Sequence, residues 1–177
     1  MSRLLSMILI LVLLAGCAPA LADFDGLLDE TLSLAQGMNA NLSAGADDAP
    51  GLLDDYYAFD DFIRFQSHDE RIMLDVLPKG DWEEVRMLTL RVYGADLIDA
   101  ALQDIQYIAY TYGSGDSVEA ALLWSDKWAD ALRQSLKEGT AQNTAVLQCP
   151  ALVAMGTLVT DEGAPHIKFT VMPEVNP

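Results

Sequence analysis

The sequence predicts an α+β fold: an antiparallel sheet from two β-hairpins, packed against an antiparallel helical hairpin and an N-terminal amphipathic helix. Three observations predict it. Apolar and polar residues alternate on both sides of a polar turn near 67–70, and a second turn near 161–165 separates an apolar, strand-like run from another alternating one. Between those hairpins, apolar residues recur every three or four positions in two stretches joined by Gly113-Ser114-Gly115. The same helical spacing runs through Phe24, Leu27, Leu28, Leu32, Ala35, Met38 and Leu42.

The chain begins with one positive charge, Arg3, followed by Leu4, Leu5 and the apolar run Met7 to Leu14, and then by small residues. That order is a secretory signal. Leu14-Ala15-Gly16-Cys17 resembles the lipobox of bacterial lipoproteins. The resemblance is confined to this leader, and it implies that residues 1–16 are a signal peptide, that Cys17 receives a diacylglyceryl group, and that the mature chain begins there. Acyl chains contribute about 0.8 kcal/mol per buried methylene, and more than one makes attachment lasting. Two other readings stay open. Ala20-Leu21-Ala22 fits an ordinary signal-peptidase site, which would release a secreted protein starting at Asp23. Leu4 to Ala22 is also nearly long enough for an uncleaved span, against which Ser6, Gly16 and Pro19 argue.

Without the leader, 161 of the 177 residues remain, enough for one domain with a sizeable core. Residues 17–51 are expected to form the lipid-anchored helix and a linker, and residues 52–177 a single α+β domain. Loss of Arg3 leaves 9 basic residues against 27 acidic ones, a net charge of −18. Nucleic acid is therefore excluded as an expected partner, and an anionic lipid surface would repel the body of the domain. The expected membrane contact is through the N-terminal lipid alone. With Cys17 lipidated or removed, Cys149 has no partner for an intrachain disulfide. Its apolar neighbours, Ala145 to Val153, predict a buried thiol packed as a small hydrophobe.

Taken in order, the first helix has Asp25, Asp29 and Glu30 near its positive end. Its polar face is acidic, so its apolar stripe is expected on the domain rather than on lipid. Residues 43–51, small and broken by Pro50 and Gly51, read as a loop. Leu52, Leu53, Tyr56 and Tyr57 suggest a short helical turn; Ile63 and Phe65, then Ile72, Leu74 and Val76, suggest a hairpin over 61–66 and 71–77. Asp81-Trp82-Glu83-Glu84 has capping-box spacing, yet Val85, Thr89 and Val92 favour a strand, so residues 82–93 fit helix and strand equally.

Leu97, Ile98, Ala101, Ile105, Ile108 and Tyr112 form one helical stripe. Val118, Ala121, Leu122, Trp128, Leu132 and Leu136 form the next, and the short connection folds the two helices back on one another. Trp124 and Trp128, four apart, serve either as core or as part of a binding surface. After a loop at 139–143, residues 151–160 read as a strand. Ile167, Phe169 and Val171 then alternate with His166, Lys168 and Thr170, one face buried and one wet.

Motifs for common chemistry are missing: no Gly-x-Ser-x-Gly, Gly-x-Gly-x-x-Gly, phosphate loop, His-Glu-x-x-His or Cys-x-x-Cys occurs. No cofactor and no metal are expected. Gly113-Ser114-Gly115 precedes a helix, but Asp116 and Glu119 would repel an anion there, so it reads as a turn. Cys149, His166 and Asp161 can be drawn as a Cys-His-Asp set, although nothing local activates the thiol. His68-Asp69-Glu70 with Asp54-Asp55 and Asp60-Asp61 offers oxygen ligands, yet exposed acidic turns explain them as well. The expectation is a lipid-anchored binding or interaction module that uses Tyr56, Tyr57, Trp124 and Trp128. The alternatives are an envelope enzyme without a local motif and a structural component of an envelope assembly.

Overall fold

The computed structural model describes residues 24–43, 51–80, 82, 84–113, 115–140, 145–149, 152–160 and 163–173. Three helices pack against one seven-stranded antiparallel sheet, as the α+β expectation requires. Helix α1 covers 24–43. The strands are β1 (Asp55–Ala58), β2 (Ile63–Gln66), β3 (Ile72–Lys79), β4 (Glu84–Val92), β5 (Ala145–Cys149), β6 (Leu152–Val159) and β7 (His166–Pro173). Between β4 and β5 lie a 3-10 turn (Ala95–Leu97), α2 (Ile98–Tyr112) and α3 (Gly115–Glu138). The spatial order is β1-β2-β3-β4-β7-β6-β5. The two predicted hairpins, β2–β3 and β6–β7, are therefore joined through the β4–β7 pair into a single sheet.

Helices α1 and α2 bury faces close to those their spacing selects, and α3 does not. Leu27, Thr31, Leu34, Ala35, Met38 and Leu42 of α1 are buried, so this helix belongs to the domain core. Thr31 fits there because its hydroxyl donates to the Leu28 carbonyl at 3.1 Å, sparing an unpaired polar group. On α2, Ile98, Ala101, Ile105 and Ile108 are fully buried, as their periodicity predicts. The stripe on α3 is turned from the expected one: Ser117, Ala121, Trp124, Ser125, Leu132 and Ser135 are buried, while Leu122 is exposed. Serines hide this face from a hydropathy reading. Ser125 donates its hydroxyl to the Ala121 carbonyl at 2.8 Å and then behaves as a small core residue.

One face of the sheet supplies the other half of the core. Phe65, Leu74, Leu90 and Phe169 form a ladder on it, and Gly156 completes the row. The opposite face carries Tyr57, Arg64, Asp75, Thr89, Thr170, Met155 and Val146, which are successive cross-strand partners from edge to edge.

Two local expectations are corrected, one open reading is decided and one strand is added. Residues 55–58 form an edge strand rather than a helical turn, because pairing with β2 outweighs their weak local preference. Residues 84–92 are strand, held between β3 and β7, so the strand reading holds there; Asp81 and Glu83 of the capping-box spacing lie outside the described residues. Between β3 and β4, Gly80 (φ 58°) and Trp82 (φ 72°) are left-handed, and the Trp82 ring is held edge-on by Phe24 at 4.9 Å. The apolar run before Cys149 is a seventh strand, β5. His166 is buried rather than wet, with its ring against Tyr93 at 4.7 Å.

Candidate functional site

The exposed aromatic residues concentrate at the β1 edge. Tyr56, Tyr57 and Phe59 are 50%, 48% and 44% exposed, far more than core aromatics tolerate. Strand alternation sends Tyr56 to the helix side, where it meets Phe65 at 6.0 Å, and Tyr57 to the open side beside Arg64. The turn that follows is closed by the Phe59 amide donating to the Phe62 carbonyl at 2.9 Å. It stacks the Phe59 and Phe62 rings, centroids 4.4 Å apart and 17° from parallel, with Asp60 and Asp61 at the tip.

Arg64 ties this turn to the sheet. Its guanidinium lies over the Phe62 and Phe59 rings at 5.3 and 5.8 Å. It also donates to both Asp75 oxygens, Nε at 2.7 Å and Nη2 at 3.1 Å, while Asp75 accepts from Arg91 as well. The hydrogen bond that Arg64 donates to Asp75 is the main reason the Arg64 pKa is raised. One buried carboxylate thus neutralises part of the charge of two arginines on the open face.

On the helix side, a cleft of ≈ 210 Å³ runs between β1 and α1, lined by Leu32, Gln36, Asn39, Asp54, Tyr56 and Phe65. Asn39 fixes its floor. Its amide group donates to the Leu53 carbonyl at 3.1 Å and its oxygen accepts from the Leu53 amide at 2.7 Å, clamping the lead-in to β1 onto α1.

The other anticipated residues lie elsewhere. Trp124 is buried against Phe169 at 6.1 Å, and Trp128 is half-buried beside Lys127. Both sit on α3, which packs over β5, β6 and β7 at the far end of the sheet from Tyr56 and Tyr57. The four residues do not form one surface. Cys149 and His166 pair with Leu152 and Val159, seven residues apart along β6, or ~23 Å at strand spacing. Cys149 is buried, its thiol donating to the Leu152 carbonyl at 3.4 Å. Cys17 and Asp161 lie outside the described residues. His68, almost fully exposed, has Nδ1 3.6 Å from Asp55. Among the described residues no three His, Cys, Asp or Glu side chains are grouped to hold a metal ion.

A second cleft, ≈ 320 Å³, lies beside α2 and is lined by Asn41, Gln106, Tyr107, Tyr110 and Val118. Sequence reasoning missed Arg64, Asp75 and Arg91, which have no local motif; the available signal was a charged residue within each of three apolar strands. Asp104 was missed too. It is fully buried on α2 with neither oxygen hydrogen-bonded, and burial pushes its carboxyl pKa well up. Among the described residues no helix is long and apolar enough to cross a membrane. Comparison of the chain with protein-family models, curated proteins and solved structures finds no match.

Proposed function

We propose that this protein is a lipid-anchored, extracytoplasmic binding module of the cell envelope, tethered through Cys17 and making contact through the aromatic edge at β1. The observation that carries the contact surface is the exposure of Tyr56, Tyr57 and Phe59 on a strand that ends the sheet. Contiguous aromatic surface of this kind marks contact sites, because large rings left in water are stabilised when a partner covers them. The tether rests on Leu14-Ala15-Gly16-Cys17 after an apolar run. The acidic body supports standing off an anionic membrane rather than lying on it.

Photo-crosslinking in intact cells tests the surface. A photoreactive phenylalanine at Tyr57 is expected to yield a discrete adduct, and one at exposed Lys137 is not. Equal labelling at the two positions, or none at Tyr57, overturns it. Intact mass and detergent partition of the wild type against Cys17→Ala test the tether: equal partition, with no mass difference beyond the replaced side chain, would reject it.

A further inference from the structure

We infer that the outer edge of β1 accepts an extended, cationic peptide segment as an eighth strand. This deepens the contact-surface reading above and rests on it. Within the described residues β1 pairs only with β2, so its outward amides and carbonyls have no strand beside them. Natural sheet edges are defended by shortness, charge, Pro or a bulge. Asp55-Tyr56-Tyr57-Ala58 is short and its charge is acidic, but it has no Lys, Pro or bulge and keeps a regular register with Ile63 to Gln66.

Charge selects the occupant. Asp54, Asp55, Asp60 and Asp61 bracket the strand. Among the described ion pairs only Asp55 has a partner, the exposed His68. A second copy of the chain is disfavoured on both geometries. Antiparallel pairing about Tyr57 and Ala58 brings Asp54 and Asp55 of one chain toward Asp61 and Asp60 of the other, and in-register parallel pairing sets each aspartate beside its own equivalent. Like charges placed opposite one another destabilise a strand pair. A segment with Lys or Arg at its ends gains attraction from the same four carboxylates. Arg64 offers little opposition, because Asp75 already holds its guanidinium.

The two sides of the strand then sort side chains. Residues facing the helices enter the ≈ 210 Å³ cleft, whose apolar lining includes Leu32 and Phe65 and whose amides are Gln36 and Asn39. Residues on the other side lie along Tyr57. Strand addition has this division of labour: main-chain bonds hold the ligand, and alternate side chains select it.

The test uses the mature lipidated chain in detergent micelles and an acetylated, amidated peptide of alternating Lys and Val. Isothermal titration is expected to detect binding that weakens at least tenfold with Glu in place of Lys, or with alternate peptide nitrogens methylated. The triple variant Asp54→Asn, Asp60→Asn, Asp61→Asn is expected to lose at least tenfold in affinity at low salt. Amide exchange is expected to slow within 55–58 and not in β5. Undiminished binding of the N-methylated peptide would reduce the effect to charge attraction and overturn strand addition, as would protection elsewhere. If Tyr57 still crosslinks in cells while the peptide fails, only the strand-addition chemistry falls; if Tyr57 gives no crosslink, the contact surface itself is lost.

Discussion

Arg64 and Asp75 are direct cross-strand partners on β2 and β3, and the guanidinium fork meets both carboxylate oxygens, at 2.7 and 3.1 Å. Arg91 approaches the same carboxylate from β4. Asp75→Ala leaves two arginines without their counter-ion. Breaking a fully buried pair costs ~3–5 kcal/mol, whereas these arginine side chains are 25% and 21% exposed and can turn to water. The expected loss is about 2–3 kcal/mol, read as a lower urea midpoint with unchanged slope. A midpoint equal to wild type would show that the triad is energetically idle.

Asp104 ties stability to pH. Burial raises its native pKa well above the ordinary carboxyl value, so the folded chain keeps a proton that the unfolded chain has released. Its favourable contribution is complete below the unfolded pKa of about 3.9. It diminishes as pH rises from there toward the raised native value, with a limiting slope of about 1.4 kcal/mol per pH unit. Asp104→Leu removes the dependence: the variant is expected to gain on wild type as pH rises above about 4 and to stop gaining once the native carboxyl ionises, read in urea titrations. A wild-type-to-variant difference independent of pH would contradict this.

Gly156 is required by Phe169. A Cβ at position 156 would stand 2.8 Å from the Phe169 ring, and that ring is buried beside Trp124 with no room to withdraw. Gly156→Ala should therefore destabilise by about 1–3 kcal/mol, the usual cost of overpacking, although alanine normally improves on glycine in a strand. Phe169→Leu in the same chain should recover part of the loss. Thermal unfolding of the two single variants and the double variant would reveal additive losses if there is no clash.

Asn39 spans α1 to the lead-in of β1. Asn39→Ala leaves the Leu53 amide and carbonyl without their side-chain partner, at a cost of about 1–3 kcal/mol for part-buried groups. The specific outcome is faster amide exchange at Leu53 and through 55–58, with β6 and β7 unaffected. Uniform acceleration across the sheet would mean that the clamp acts on the whole fold rather than on the edge.

Legibility followed how locally each element is determined. Ile98, Ala101, Ile105 and Ile108 declare a helix face by spacing alone, and Ile167, Phe169 and Val171 declare a strand face in the same way. Residues 84–92 were ambiguous because the register shift against Leu77 and Pro78 skips Arg86, so the core residue Val85 falls three before Leu88 while Leu88, Leu90 and Val92 keep the strand period. Tyr56 and Tyr57 were legible as aromatic surface, but their separation from Trp124 and Trp128 was not, since the strand order places β1 and β5 at opposite edges. The Arg64–Asp75–Arg91 contact joins three strands, and no spacing within one strand encodes it.

By itself the sequence determined the class of fold, the helical hairpin, the two β-hairpins and the acidic balance, because each depends on periodicity or composition within a short window. Only the tertiary structure decided that these pieces share one seven-stranded sheet, that Asp104 and His166 are buried, and that Tyr56 and Tyr57 stand at an open edge. The physical reason is that strand order and register come from pairing between segments distant along the chain, and burial of a polar side chain depends on what those segments bring against it.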